Sequence, residues 1–172
     1  ISNLYSILNN IKNGDTHIND HFELDKWAKY LAIIDLTGSY HGSLAKSVKK
    51  YYNPITALFE PIGYDLHKGA GKFDNFILLD FLQENRSQCI YLCVHKDWYL
   101  KFFLDKNGKL NFNFINLYIN YLIKFADKKF IKEFINENNA QLKNFNRAIY
   151  KDNSKVDKIN RVGLGYFIYD DK

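Results

Sequence analysis

Methionine is missing from the 172 residues, and cysteine occurs only twice. The two cysteines, Cys89 and Cys93 in the run CIYLC, lack the second pair that a zinc knuckle needs, so they read as reduced, buried small hydrophobes. No apolar run is long enough to span a bilayer and no signal peptide is visible. The compartment is left open by this, with the cytoplasm favoured. A chain that opens on Ile1 and has no methionine is expected to be a piece of a longer protein. Long basic blocks are lacking too. The net charge of +5 and pI near 9.0 would suit a nucleotide, nucleic acid or membrane surface, but scattered lysines read as a solvated surface, with no clear nucleic-acid or membrane signal. No repeat or low-complexity tract divides the chain, and 172 residues are enough for one domain with a real core.

What is abundant is the large aromatic ring. Fourteen Phe and thirteen Tyr imply a core of rings whose buried hydroxyls need partners. Leu4, Ile7, Leu8 and Ile11 fall at helical spacing, ended by the turn Asn13-Gly14-Asp15. Asp25 is the expected N-cap of a second helix, in which Trp27, Leu31 and Ile34 form an apolar stripe and Gly38 closes the end. Residues 48–53 and 57–64 read as two strands joined by Asn53-Pro54-Ile55-Thr56, with Pro61 on an edge or at a bulge. Residues 73–82 fit either a buried helix or an extended segment. Trp98, Phe102 and Phe103 share a helical face that Lys106-Asn107-Gly108 interrupts. Phe114, Leu117, Tyr121, Leu122 and Phe125 mark the clearest amphipathic helix. Another follows a cap at Asp127, a further one carries Leu142, Phe145 and Ile149, and residues 162–169 suit a strand. These aromatic stripes read as core. The expected fold is therefore α+β and mainly helical, with a small antiparallel hairpin between helices. Residues 1–172 form a single domain: leading helix and linker 1–23, helix, hairpin and reactive turns 24–72, helical subdomain 73–150, tail 151–172.

Chemistry concentrates in residues 24–71. A helix there feeds a polar turn with Ser39, Tyr40, His41 and Gly42, and the hairpin returns the chain to a second turn with Asp65 and His67. If the hairpin forms, His41, Asp65 and His67 converge. An exposed carboxylate after a strand suits a hard cation that also touches phosphate, and a turn histidine can take a proton from a hydroxyl. Glu60 is an additional ligand or a lysine partner, while Lys46, Lys49, Lys50, Lys68 and Lys72 lie close enough in sequence to meet an anion. The bland alternatives are a hydrogen-bonded loop histidine and a turn-capping aspartate. The same residues, with His21, are also the ligand types of a transition-metal hydrolase, although no HxH or HExxH pair singles that out. The basic segment 68–72 lacks the ending of a phosphate loop and reads as a plain loop.

The segments LDKWAKYLAIIDLTGSYHG, KKYYNP and FEPIGYDLH, in that order, resemble the core of the CotH kinase family, atypical protein-kinase-like proteins first associated with bacterial spore coats. The resemblance covers roughly residues 4–145. It implies the C-terminal lobe of a kinase-like fold and ATP- and magnesium-dependent phosphoryl transfer by the parent protein. Asp65 matches the family's metal-binding aspartate. The family's catalytic aspartate falls on His41 and its second acidic position on His67, while its downstream asparagine has no clear match, Lys46 or Ser47 standing in that region. The resemblance thus assigns His41 and Asp65 to catalysis and Asp65 and His67 to metal; Lys46, Lys49, Glu60 and Lys68 are the candidate substrate or phosphate contacts by their place in the sequence. The nucleotide lobe would precede Ile1, so this chain alone should not phosphorylate anything. The implied alternative is a non-catalytic, kinase-derived binding module for a nucleotide, with a protein or glycan substrate left open.

Overall fold

A computed structural model describes residues 2–67, 76–83 and 90–152. The chain falls into two compact units, Ile1–Ala126 and Asp127–Lys172. The first unit is mainly helical with one two-stranded antiparallel sheet, an α+β arrangement.

Helix α1 spans Ser2–Asn13 and stops at Gly14, whose φ of +85° suits a residue without Cβ. Helix α2, Leu24–Thr37, is the spine. Trp27, Ala28, Leu31, Ala32 and Ile34 are all fully buried, the i, i+3, i+4 stripe that an amphipathic core helix requires. Its N-cap is Glu23, which accepts from the Lys26 amide at 2.7 Å. Asp25, expected in that role, lies one residue inside the helix and accepts from the Tyr121 hydroxyl at 2.7 Å. Gly38 closes α2 in the left-handed conformation, as expected.

A 3-10 turn, Tyr40–Ser43, leads to strands β1 (Lys49–Asn53) and β2 (Leu58–Ile62), which pair with Tyr51 opposite Glu60. Pro61 sits opposite Lys50 in this two-stranded sheet, and the bridge on the outer side of β2 falls at Phe59 and spares Pro61. The Asn53 carboxamide oxygen accepts the Ile55 amide at 2.9 Å, the side-chain turn expected there. Phe59 ties the hairpin to α2: its carbonyl accepts from the Glu23 amide at 3.0 Å and the Trp27 indole at 2.8 Å.

After a further 3-10 turn, Leu78–Leu82, come the one-turn helix α3 (Ile90–Cys93), α4 (Lys96–Phe103) and α5 (Phe112–Ala126). Residues 73–75, the first three of the ambiguous segment 73–82, lie outside the described residues. Cys93 is exposed, contrary to the expected burial, because Leu92 takes the inward position on α3 and the next residue is turned about 100° away; Cys89 lies outside the described residues. Rings fill the centre of this unit. Trp27 and Phe102 lie 5.2 Å apart, Phe102 and Phe114 5.2 Å, and Phe103 and Tyr118 5.2 Å.

In the second unit a single helix, α6, runs Lys128–Asp152, where two helices were expected. No glycine or proline interrupts those residues, so nothing stops its propagation. It opens on Asp127, whose carboxylate accepts the Phe130 amide at 2.9 Å. Phe134 and Phe145 are exposed on it. The strand expected at 162–169 lies outside the described residues.

Candidate functional site

Two turns make the site, and each is anchored before it presents a reactive group. In the first, Tyr40, Ser43 and Leu44 are fully buried. The Tyr40 hydroxyl donates to Asp35 at 2.7 Å, Ser43 Oγ donates to the Tyr40 carbonyl at 2.9 Å and pairs with the Tyr99 hydroxyl at 2.8 Å, and the Trp98 indole donates to the Ser43 carbonyl at 3.0 Å. With its neighbours drawn into the core from α2 and α4, His41 is left at the surface of the turn.

The second turn, residues 63–67, follows β2. Asp65 has φ +53°, a left-handed conformation that a non-glycine residue adopts only when its surroundings hold it there. Two backbone bonds do so: the His41 amide donates to the His67 carbonyl at 3.1 Å, and the His67 amide to the Asp65 carbonyl at 3.1 Å. Gly42 makes the approach possible. A Cβ there would lie 2.3 Å from the Tyr64 carbonyl oxygen and 2.7 Å from Leu66 Cδ2.

The result is a three-residue cluster. His41 Nδ1 lies 3.0 Å from Asp65 Oδ2, and His67 Nε2 lies 3.4 Å from Asp65 Oδ1. The two imidazoles stack with centroids 4.1 Å apart. His41 Nδ1 is enclosed yet has no hydrogen-bond partner, since its approach to the carboxylate lacks hydrogen-bond geometry. One donor atom from each residue lies within 4.8 Å of the other two.

The remaining candidates are placed apart from this cluster or bonded elsewhere. Glu60 pairs with Lys26 at 2.7 Å and accepts from the Asn53 carboxamide at 2.9 Å, the lysine-partner role of the two expected for it; its carboxyl is held below its ordinary range chiefly by Lys26. Lys49 Nζ sits over the Tyr64 ring at 5.5 Å and Lys50 over the Trp98 ring at 5.4 Å, where burial pulls the Lys50 ammonium down. Lys46 is exposed and near enough to His95 to help lower it, after burial. Lys68 and Lys72 lie outside the described residues. His21 bonds to Thr16 at 3.1 Å and takes no part.

Asp35 is the residue that pattern reading missed. Its carboxylate accepts from the hydroxyls of Tyr40 and Tyr118 and from the Leu78 amide at 3.1 Å. Burial pushes it up to about 6, against the pull of those hydrogen bonds. The signal was a lone carboxylate in the apolar run LAIIDL. It fixes the end of α2 to α5 and to the 3-10 turn at residue 78, and so sets where His41 begins its turn.

A cavity of about 320 Å³ elsewhere, lined by Ile11, His17, Lys101 and Asp105 among others, has two of its polar side chains engaged: His17 Nε2 bonds the Leu104 carbonyl at 2.9 Å and Lys101 donates to the Ile11 carbonyl at 2.9 Å. No helix among the described residues is long and apolar enough to cross a membrane. No family model, curated protein or solved structure matches this chain.

Proposed function

We propose that this chain is the C-terminal lobe of a CotH-like, kinase-related protein and serves ATP- and magnesium-dependent phosphoryl transfer by the parent protein. The convergence of His41 and Asp65 carries the reading. Helix, polar turn, two-stranded hairpin and acidic turn follow one another, and two groups 24 residues apart end 3.0 Å from each other. In a kinase-like lobe that order brings the proton-accepting position to the metal-holding one.

Magnesium takes oxygen donors, few from protein and the rest from phosphate and water. Asp65, 40% exposed, fits as the one carboxylate; the two imidazoles do not suit so hard an ion. Asp65 would hold a nucleotide's magnesium, which supplies neutralisation of phosphate charge. His41, with Nδ1 turned to Asp65, has Nε2 as the ring nitrogen to accept a hydroxyl proton. Lys49 and Lys46, on or beside β1, are the cations of the described part nearest in sequence to the two turns.

A second reading, a kinase-derived module that binds without chemistry, is favoured by one observation. The ring at the base position is stacked on His67 and enclosed at Nδ1, so it is constrained in a way a proton shuttle need not be. Calorimetry on the full-length protein with ATP, with and without magnesium, tests the nucleotide. Expected is magnesium-dependent binding that Asp65→Asn abolishes; a lack of binding by the native protein would overturn it. Transfer to a hydroxyl substrate that His41→Ala removes separates catalysis from the module.

A further inference from the structure

We infer that His41, Asp65 and His67 form a binding site for a transition-metal ion, with zinc as the fitting probe, that fills without any nucleotide. Three observations carry this, none of them the resemblance. The first is the donor set. Two imidazole nitrogens and one carboxylate are the ligands that borderline metals select, and the imidazoles are poor ligands for magnesium or calcium.

The second is spacing. Ligand atoms held about 2.0–2.2 Å from one zinc ion lie about 3.0–3.5 Å apart at the angles such sites use. Here the His41 nitrogen lies 3.0 Å from one oxygen of Asp65 and the His67 nitrogen 3.4 Å from the other. One donor atom from each residue lies within 4.8 Å of the other two, and the stacked rings must turn for both lone pairs to meet one ion.

The third is His41 Nδ1 itself. An enclosed ring nitrogen with no hydrogen-bond partner, 3.0 Å from a carboxylate oxygen, is costly as an isolated feature. A cation between that nitrogen and the carboxylate oxygen would give it a partner. The backbone is already committed to this arrangement, since the left-handed Asp65, the bond from the His41 amide to the His67 carbonyl across the turns and the bond from the His67 amide to the Asp65 carbonyl within the second turn hold the donors before any ion arrives.

Three protein donors leave a coordination position for water or an anion. Zinc would engage Asp65, so a zinc-loaded cluster and a magnesium nucleotide would compete for it. The two ideas are nevertheless separable, because zinc binding is measured with no nucleotide present.

The test is a zinc titration of the chelator-stripped full chain by calorimetry, with cobalt(II) absorption as an independent readout of the ligand field. His67 is exposed, its side chain 54% accessible, so His67→Ala should leave the fold intact, as circular dichroism will verify. Expected is one zinc per chain, unaffected by excess magnesium. Loss of a mere outer partner weakens metal sites roughly 10–100-fold, so His67→Ala and Asp65→Asn should each weaken zinc at least about tenfold. His21→Ala, remote from the cluster, should not. Equal zinc affinity in native chain and His67→Ala, displacement by magnesium, or a cobalt spectrum unchanged by both variants would overturn the site.

Discussion

At the scale of the residue, Gly42 matters for what it lacks. The Tyr64 carbonyl oxygen would stand 2.3 Å from a Cβ there, closer than any real contact, and the obstacle is backbone that cannot rotate away. Gly42→Ala should therefore push the 63–67 turn off the Tyr40–Ser43 turn, breaking the bond from the His41 amide to the His67 carbonyl. Urea unfolding should show a loss of about 1–3 kcal/mol, the usual penalty for overpacking, and zinc affinity should fall with it. A variant as stable as the native chain would mean the two turns are not held together. Asp65 is legible from the sequence as a polar residue after a strand, but its left-handed φ of +53° is not, because it goes with hydrogen bonds of the folded turns, one of them from the partner turn.

At the scale of the element, α2 and the hairpin behave as one piece. The helix's apolar stripe is readable from residue spacing, and Gly38 as its stop is readable from conformational freedom. The join between them is not readable. It depends on a buried indole hydrogen bond from Trp27 to the Phe59 carbonyl at 2.8 Å, across 32 residues of sequence. Trp27→Phe keeps a ring in the core but removes that donor and leaves a void. It should cost about 2–3 kcal/mol in denaturant unfolding. Because the Glu23 amide still reaches the same carbonyl at 3.0 Å, the hairpin should remain folded. A cost below about 0.5 kcal/mol, the level of an ordinary surface change, would show that the indole bond contributes little.

For the whole molecule, the buried carboxylate of Asp35 sets a pH dependence opposite to that of ordinary acid unfolding. Its native value is about 6 against an ordinary 3.8, with burial as the main cause and Asp80 a small addition. Between those values the native chain keeps a proton that the unfolded chain releases. Stability therefore falls as pH rises through this window, by roughly 3 kcal/mol in all, and the penalty is complete above about 6. Glu60 and Asp105 act in the other direction, being held below their ordinary values by Lys26 and by the Lys109 amide respectively. Their contribution is lost as pH falls below the ordinary carboxylate range. The melting temperature of the native chain should rise from pH 7 to pH 5, and the rise should be mostly absent in Asp35→Asn. Parallel profiles for the two proteins would mean that Asp35 is solvated in the native state.

The sequence by itself determined local features: the apolar stripe of α2, where the hairpin turns at Asn53, that Gly38 ends α2 and that Asp127 opens α6. Each of these follows from interactions among near neighbours, whose spacing is written in the chain. Tertiary structure alone decided the rest. It turned Cys93 outward, drew Glu60 to Lys26, buried Asp35 against Tyr40 and Tyr118, and closed three donors to within 4.8 Å of one another. Those outcomes depend on contacts between residues far apart in sequence, where close packing leaves room for one arrangement and the sequence pattern carries no record of the distance.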